Sequence, residues 1–125
     1  LTEVLTEDGF KVQAVSDGLS PLKLIKRYQY DLIILSVMLP KLNGIELCRQ
    51  LRIQGCYLPI VFWSSQDFPG FKQKVRQAGA NDCLPKPCKI GTLLKRINRL
   101  LDYKPVQPKK QVSQEALTLK HLQVA

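Results

Sequence analysis

The chain is poor in histidine, in acid and in long apolar runs. Its 125 residues hold one histidine, His121, and four cysteines, Cys48, Cys56, Cys83 and Cys88. None of the cysteines forms a C-x-x-C pair, and one histidine cannot complete a zinc set, so free thiols are the reading. Cys83 and Cys88 are near enough in sequence to raise a redox pairing. No apolar stretch approaches the twenty residues that a membrane-spanning helix needs. The opening LTEVLTEDG is acidic and amphipathic and shows no signal-peptide pattern, so a cytoplasmic location is expected. The missing initiator methionine suggests a start inside a longer protein. Ten acidic residues face nineteen basic ones, a net charge of +9. Four lysines and one glutamate of this total lie beyond Asp102, leaving about +6 on residues 1–102. The basic residues are spread along the chain, which favours a solvated surface over a dedicated polyanion patch. Paired carboxylates, a glycine-rich phosphate loop and a Ser/His/Asp set are all missing, so no enzyme is expected.

What is present is an alternation of strand and helix patterns. Leu1, Val4 and Leu5 sit at helical spacing before the stop at Gly9. FKVQAV (10–15) largely alternates, predicting a strand with one buried face. Asp17-Gly18 is a turn. Leu19, Leu22 and Ile25 mark one face of a helix ending near Tyr28, with Pro21 in its first turn. Leu32–Leu35 is continuously apolar, as suits a parallel strand buried on both faces. Gly44 opens a helix with Ile45, Leu47, Cys48 and Leu51 inward and Gly55 as its stop. PIVFW (59–63) is a second buried strand. Asp67 or a neighbour can cap a helix running to Ala78, with Pro69 in its first turn. Asp82–Leu84 is a short strand, and Lys89–Leu101 a last amphipathic helix. The fold class expected is α/β, a doubly wound parallel sheet.

Residues 30–44, YDLIILSVMLPKLNG, resemble the third strand and following loop of the receiver domain of two-component response regulators. The apolar strand, Met38, Pro40 and Asn43-Gly44 all match. Further landmarks agree. Ser64 ends PIVFW where the family has a Ser or Thr that hydrogen-bonds the phosphoryl group. Lys86 in LPKP matches the family's charge-offsetting lysine. Gly79-Ala80-Asn81-Asp82 matches the loop before the last strand. The resemblance covers residues 1–102 and implies the flavodoxin-like receiver sheet, strand order 2-1-3-4-5. Three departures stand out. Ser36 occupies the phosphoacceptor position, where the family has aspartate. Cys83 replaces an aromatic residue. The family's first strand and its acidic pair are missing, so the sheet should have a central gap unless a neighbour fills it. Mg²⁺ is therefore implied only if an acidic pair lies upstream.

A serine hydroxyl is a poor nucleophile without an adjacent base. Asp31 starts the same strand, but roughly 16 Å away at strand rise. Ser36 is thus a degenerate acceptor position, and Ser64 and Lys86 are pocket remnants. Trp63 and Phe62 read as core or interface packing. Residues 103–114 read as a linker, and 115–125 (EALTLKHLQVA) resemble the opening β-hairpin of the winged-helix effector domain of the OmpR/PhoB group. Those resemblances imply a receiver for a DNA-binding transcription regulator, working without aspartyl phosphate. Its homodimer would form through the family's fourth helix, last strand and last helix. A histidine kinase partner is left open. The alternative is a stand-alone or adaptor receiver acting by protein binding alone.

Overall fold

The computed structural model describes residues 2–7, 9–65, 69–86, 88–102 and 121–124. The elements run α1 (Thr2–Glu7), β1 (Lys11–Ala14), α2 (Ser20–Arg27), β2 (Leu32–Leu35), α3 (Gly44–Ile53), β3 (Ile60–Ser64), α4 (Phe71–Gln77), β4 (Asp82–Pro85), α5 (Ile90–Asp102) and β5 (His121–Val124). The five strands form one sheet in the order β1-β5-β2-β3-β4, with every pairing parallel.

The two faces of the sheet carry separate cores. On one, Ile33, Leu35, Ile60 and Phe62 meet Leu47, Cys48 and Leu51 of α3 and Phe71 and Val75 of α4, with Leu22 and Ile25 of α2 at the margin. On the other, Leu32, Ile34, Val61 and Leu84 meet Leu5 of α1 and Leu93 and Ile97 of α5. All four residues of β2 are buried, as the unbroken LIIL run predicts for a strand covered on both sides.

Helix ends follow local chemistry. Asn43 caps α3 by accepting the Glu46 N–H at 2.9 Å, and Gly55 takes φ 87° just past its end. One carboxylate oxygen of Asp17 accepts the backbone N–H groups of Leu19 and Ser20, and the other accepts the Ser20 hydroxyl, so the Asp17-Gly18 turn also closes the start of α2. Pro21 sits in the first turn of that helix. Leu19 departs from the inward face expected of it: it precedes the first helical residue and is 44% exposed. The fourth helix also starts later than its sequence suggests. Gly70 at φ 82° precedes Phe71, and this left-handed residue excludes Pro69 from the helix; Asp67 lies outside the described residues. β1 is an edge strand, and the buried face expected for it is reached only by Phe10, with Val12 half-buried.

The central gap is filled. His121–Val124 lies between β1 and β2, in register with Lys11–Ala14 on one side and with Leu32–Ile34 on the other. The effector-domain hairpin expected at these four residues is not what is found; here they are the strand between β1 and β2. Two facing strand edges present rows of unpaired N–H and C=O groups, and a parallel strand satisfies both rows at once. The linker read at 103–114 lies outside the described residues.

Candidate functional site

In a parallel sheet the carboxyl ends of the strands share one edge, where open α/β folds place their sites. Ser36 is the first residue after β2, Ser64 is the last of β3, and Lys86 is the first after β4. These three residues therefore lie on adjacent strands at the same edge. The backbone ties two of them together: the Lys86 N–H donates to the Ser64 carbonyl at 2.9 Å. Ser64 is 5% exposed, the one buried polar residue among those described.

The loop after Ser36 is held closely. The Gly44 N–H donates to the Val37 carbonyl at 2.8 Å, and the Gly18 N–H to the Pro40 carbonyl at 3.0 Å. A Cβ on Gly44 would lie 1.9 Å from the Ser36 carbonyl oxygen, and one on Gly18 would lie 1.9 Å from that of Leu42. Both close approaches exclude any side chain. Within this loop Lys41 adopts φ 70°, a left-handed conformation that costs a non-glycine residue roughly 1–2 kcal/mol. Met38 is 75% exposed beside Ser36.

The electrostatics follow from which carboxylates are present. Asp17 lies in the loop after β1, but its oxygens already accept from Leu19 and Ser20. Those hydrogen bonds, led by the Ser20 N–H, hold its carboxyl below the usual carboxylate range. Position 36 contributes only a neutral hydroxyl. The side chain of Lys86 lies over the indole of Trp63, its Nζ 4.7 Å from the ring centroid, and the Trp63 N–H donates to the Cys88 sulfur at 3.2 Å. A divalent cation of the Mg²⁺ kind needs oxygen ligands with several carboxylates or phosphates. Among the described residues no three His, Cys, Asp or Glu side chains converge, and the Ser36, Ser64 and Lys86 set does not fit such an ion.

The surface around β4 is built by a second set of contacts. Arg96 of α5 pairs with Asp82 at 2.7 Å, and Asp82 also accepts the Cys83 N–H at 2.8 Å. Cys83, at the position the family fills with an aromatic ring, is partly buried against the α3–α4 core. Arg52 at the end of α3 donates to the carbonyls of Cys56, Leu58 and Gly79 and to the Asn81 side chain, tying α3 to the loop that leads into β4. Sequence reasoning missed Arg52, for which no local signal exists, and missed the lysine contact of Trp63, which is tertiary.

The comparisons with known proteins agree with this architecture. Residues 1–98 match the response regulator receiver domain family. The chain is 40% identical over 101 residues to response regulator MprA of Mycobacterium leprae, covering 81% of this chain and 44% of the relative. It is 34% identical over 122 residues to response regulator MprA of Mycobacterium ulcerans, covering 98% and 53%. The chain thus spans about half the length of the curated relatives it matches. Among solved structures it is similar to the receiver domain of the Francisella response regulator 1452 (TM-score 0.75, 33% identity, 80% and 83% covered). The BeF3-activated N-terminal receiver domain of Klebsiella pneumoniae RstA is also similar (TM-score 0.76, 30% identity, 82% and 86% covered). The sheet, the two helical layers and these matches make the chain a member of the response regulator receiver domain family.

Proposed function

We propose that this receiver is the regulatory module of an OmpR/PhoB-type DNA-binding response regulator and that it works without aspartyl phosphorylation. It is a binding module and not an enzyme, it acts in the cytoplasm, and a histidine kinase need not address it. The observation that carries this reading is Ser36, a neutral hydroxyl at the end of β2 where the family places its acceptor carboxylate. A serine needs an adjacent base to act as a nucleophile, and among the described residues the Asp17 carboxylate, in the loop after β1, is committed to the start of α2.

Output then depends on assembly. The face made by α4, β4 and α5 exposes Lys72, Lys74, Arg76, Lys95 and Arg99, while its Asp82 is already paired with Arg96. Few acids remain to meet these cations in a second copy. Exposed pairs contribute roughly 0–1 kcal/mol each, so pairing through this face is weak and salt-sensitive. DNA contact belongs to the part of the relatives' length that this chain does not span. Two measurements test the reading. Incubation with acetyl phosphate followed by mass spectrometry should show no added phosphoryl group; one mapped to Ser36 or to an aspartate of this edge would refute it. Sedimentation at two salt concentrations should show a mostly monomeric receiver at micromolar concentration; a tight, salt-insensitive dimer would refute the assembly part.

A further inference from the structure

Trp63 stands on the strand between the acceptor position and the pocket lysine. Its strand, β3, is flanked by β2, which leads to Ser36, and by β4, which leads to Lys86. Register places Phe62 opposite Leu35 and Trp63 opposite Leu84, so Trp63 is one step past Phe62 as Ser36 is one step past Leu35. The indole packs on the α1–α5 side of the sheet, against the cluster that contains Val61 and Leu84. It is held at its edge, where its N–H donates to Cys88 Sγ at 3.2 Å. Lys86 is anchored by its own N–H on the Ser64 carbonyl at 2.9 Å, and its ammonium rests 4.7 Å from the ring centroid. Among the described residues Lys86 forms no ion pair. Tryptophan has the strongest cation-binding face of the natural side chains, and a ring within about 6 Å attracts an ammonium electrostatically.

We propose that Trp63 is a positioning residue that supplies Lys86 with the partner a carboxylate at position 36 would otherwise supply. This inference rests on the reading of Ser36 as a neutral acceptor position. With that charge gone, the lysine settles on the π face of the intervening strand. The contact fixes the β4–α5 connection at Lys86 and Cys88 in one arrangement, with no covalent step. Neighbouring strands lie about 4.8 Å apart, so Ser36 and Lys86 are separated by roughly 10 Å of backbone, a gap that a lysine and an aspartate side chain can close. A carboxylate introduced at position 36 would therefore compete with the ring for the same ammonium.

Proton NMR on the 125-residue chain tests this directly. The ε-methylene protons of Lys86, assigned by their loss in Lys86→Met, should lie upfield of the other lysine signals because they sit over the indole. Ser36→Asp should remove most of that displacement at neutral pH, while Ser36→Asn, similar in size and uncharged, should leave it in place. Trp63→Val should abolish it. The Ser36 pair leaves the ring intact, so the test stands even if Trp63→Val fails to fold. Lys86 signals at the ordinary lysine position in the native chain would overturn the proposal. So would a displacement that Ser36→Asp leaves unchanged, or one that Ser36→Asn removes equally. These outcomes are independent of whether the native chain takes up a phosphoryl group, so the two readings fail separately.

Discussion

Replacing Arg52 tests how this receiver holds its β4 edge. The guanidinium makes five hydrogen bonds. Nε and Nη2 donate to the Gly79 carbonyl at 3.0 and 2.8 Å, Nη1 to the carbonyls of Cys56 and Leu58 at 2.8 and 2.7 Å, and Nη2 also to Asn81 Oδ1 at 3.0 Å. Asn81 Oδ1 in turn accepts the Ile60 N–H at 2.9 Å, which links the cluster to the start of β3. Charge-assisted bonds contribute about 1.5–3 kcal/mol each when buried. These are only partly buried, and water can replace some of them, so the bonds do not add. Arg52→Ala should destabilise the domain by about 2–4 kcal/mol, the range for breaking a network rather than a single pair. Arg52→Lys should recover less than half of the loss, because an ammonium cannot span three carbonyls as the planar fork does. Urea unfolding followed by circular dichroism measures both. A loss below about 0.5 kcal/mol for Arg52→Ala, the size of an ordinary surface change, would refute the reasoning.

Further outcomes follow from the same contacts. Lys41→Gly should stabilise the domain by about 0.5 kcal/mol in the same urea assay, since relief of the left-handed φ of 70° exceeds the extra chain entropy of glycine. Asp17 has its pKa lowered from 3.8 when folded, so its contribution to stability is present above 3.8 and is lost as pH falls through the folded value; the stability gap between the native chain and Asp17→Ala should close at acid pH in denaturant titrations. Burial pushes the Cys48 thiol up to about 11, and the thiol donates to the Ala78 carbonyl at 3.4 Å, so a thiol reagent at neutral pH should label the half-buried Cys83 and Cys88 well before Cys48. Deleting residues 103–125 should destabilise the sheet and raise hydrogen exchange along β1 and β2, because β5 pairs with both; unchanged protection along β1 and at Ile34, whose N–H faces β5 while that of Ile33 donates to the Pro59 carbonyl, would refute the role given to that strand.

Several elements were legible because their signals are local. LIIL between Asp31 and Ser36 has the apolar continuity of a doubly covered strand and is buried throughout. Asn43, Gly44 and Gly55 carry the cap and the stop of α3 in their own side chains, or lack of them. The start of α4 was not legible, because Pro69 is compatible with either a first helical turn or the turn before it, and only the φ of Gly70 decides. Ser36, Ser64 and Lys86 were singled out by the resemblance to the receiver family, whose acceptor, hydroxyl and lysine positions they occupy, and the parallel strands place them at one edge of the sheet. The resting place of Lys86 was not readable. Its partner is twenty-three residues away on the neighbouring strand, and a tryptophan in an apolar strand looks the same whether it packs against core or against a cation.

The tail shows the same division between local and non-local information. The apolar alternation through Leu122 and Val124 announces a strand, and His121–Val124 is one. Alternation does not name the neighbour, since a strand's own pattern is equally suited to a hairpin in another domain and to a vacant place in this sheet. The neighbouring strands settle where it goes here. β1 and β2 offer two facing ladders, and pairing with both satisfies the backbone of β5 on each side, whereas a hairpin partner would satisfy one side only. The two placements are mutually exclusive, because the same N–H and C=O groups cannot serve both. Any residues that occupied the slot between β1 and β2 in place of His121–Val124 would release those four residues for pairing elsewhere.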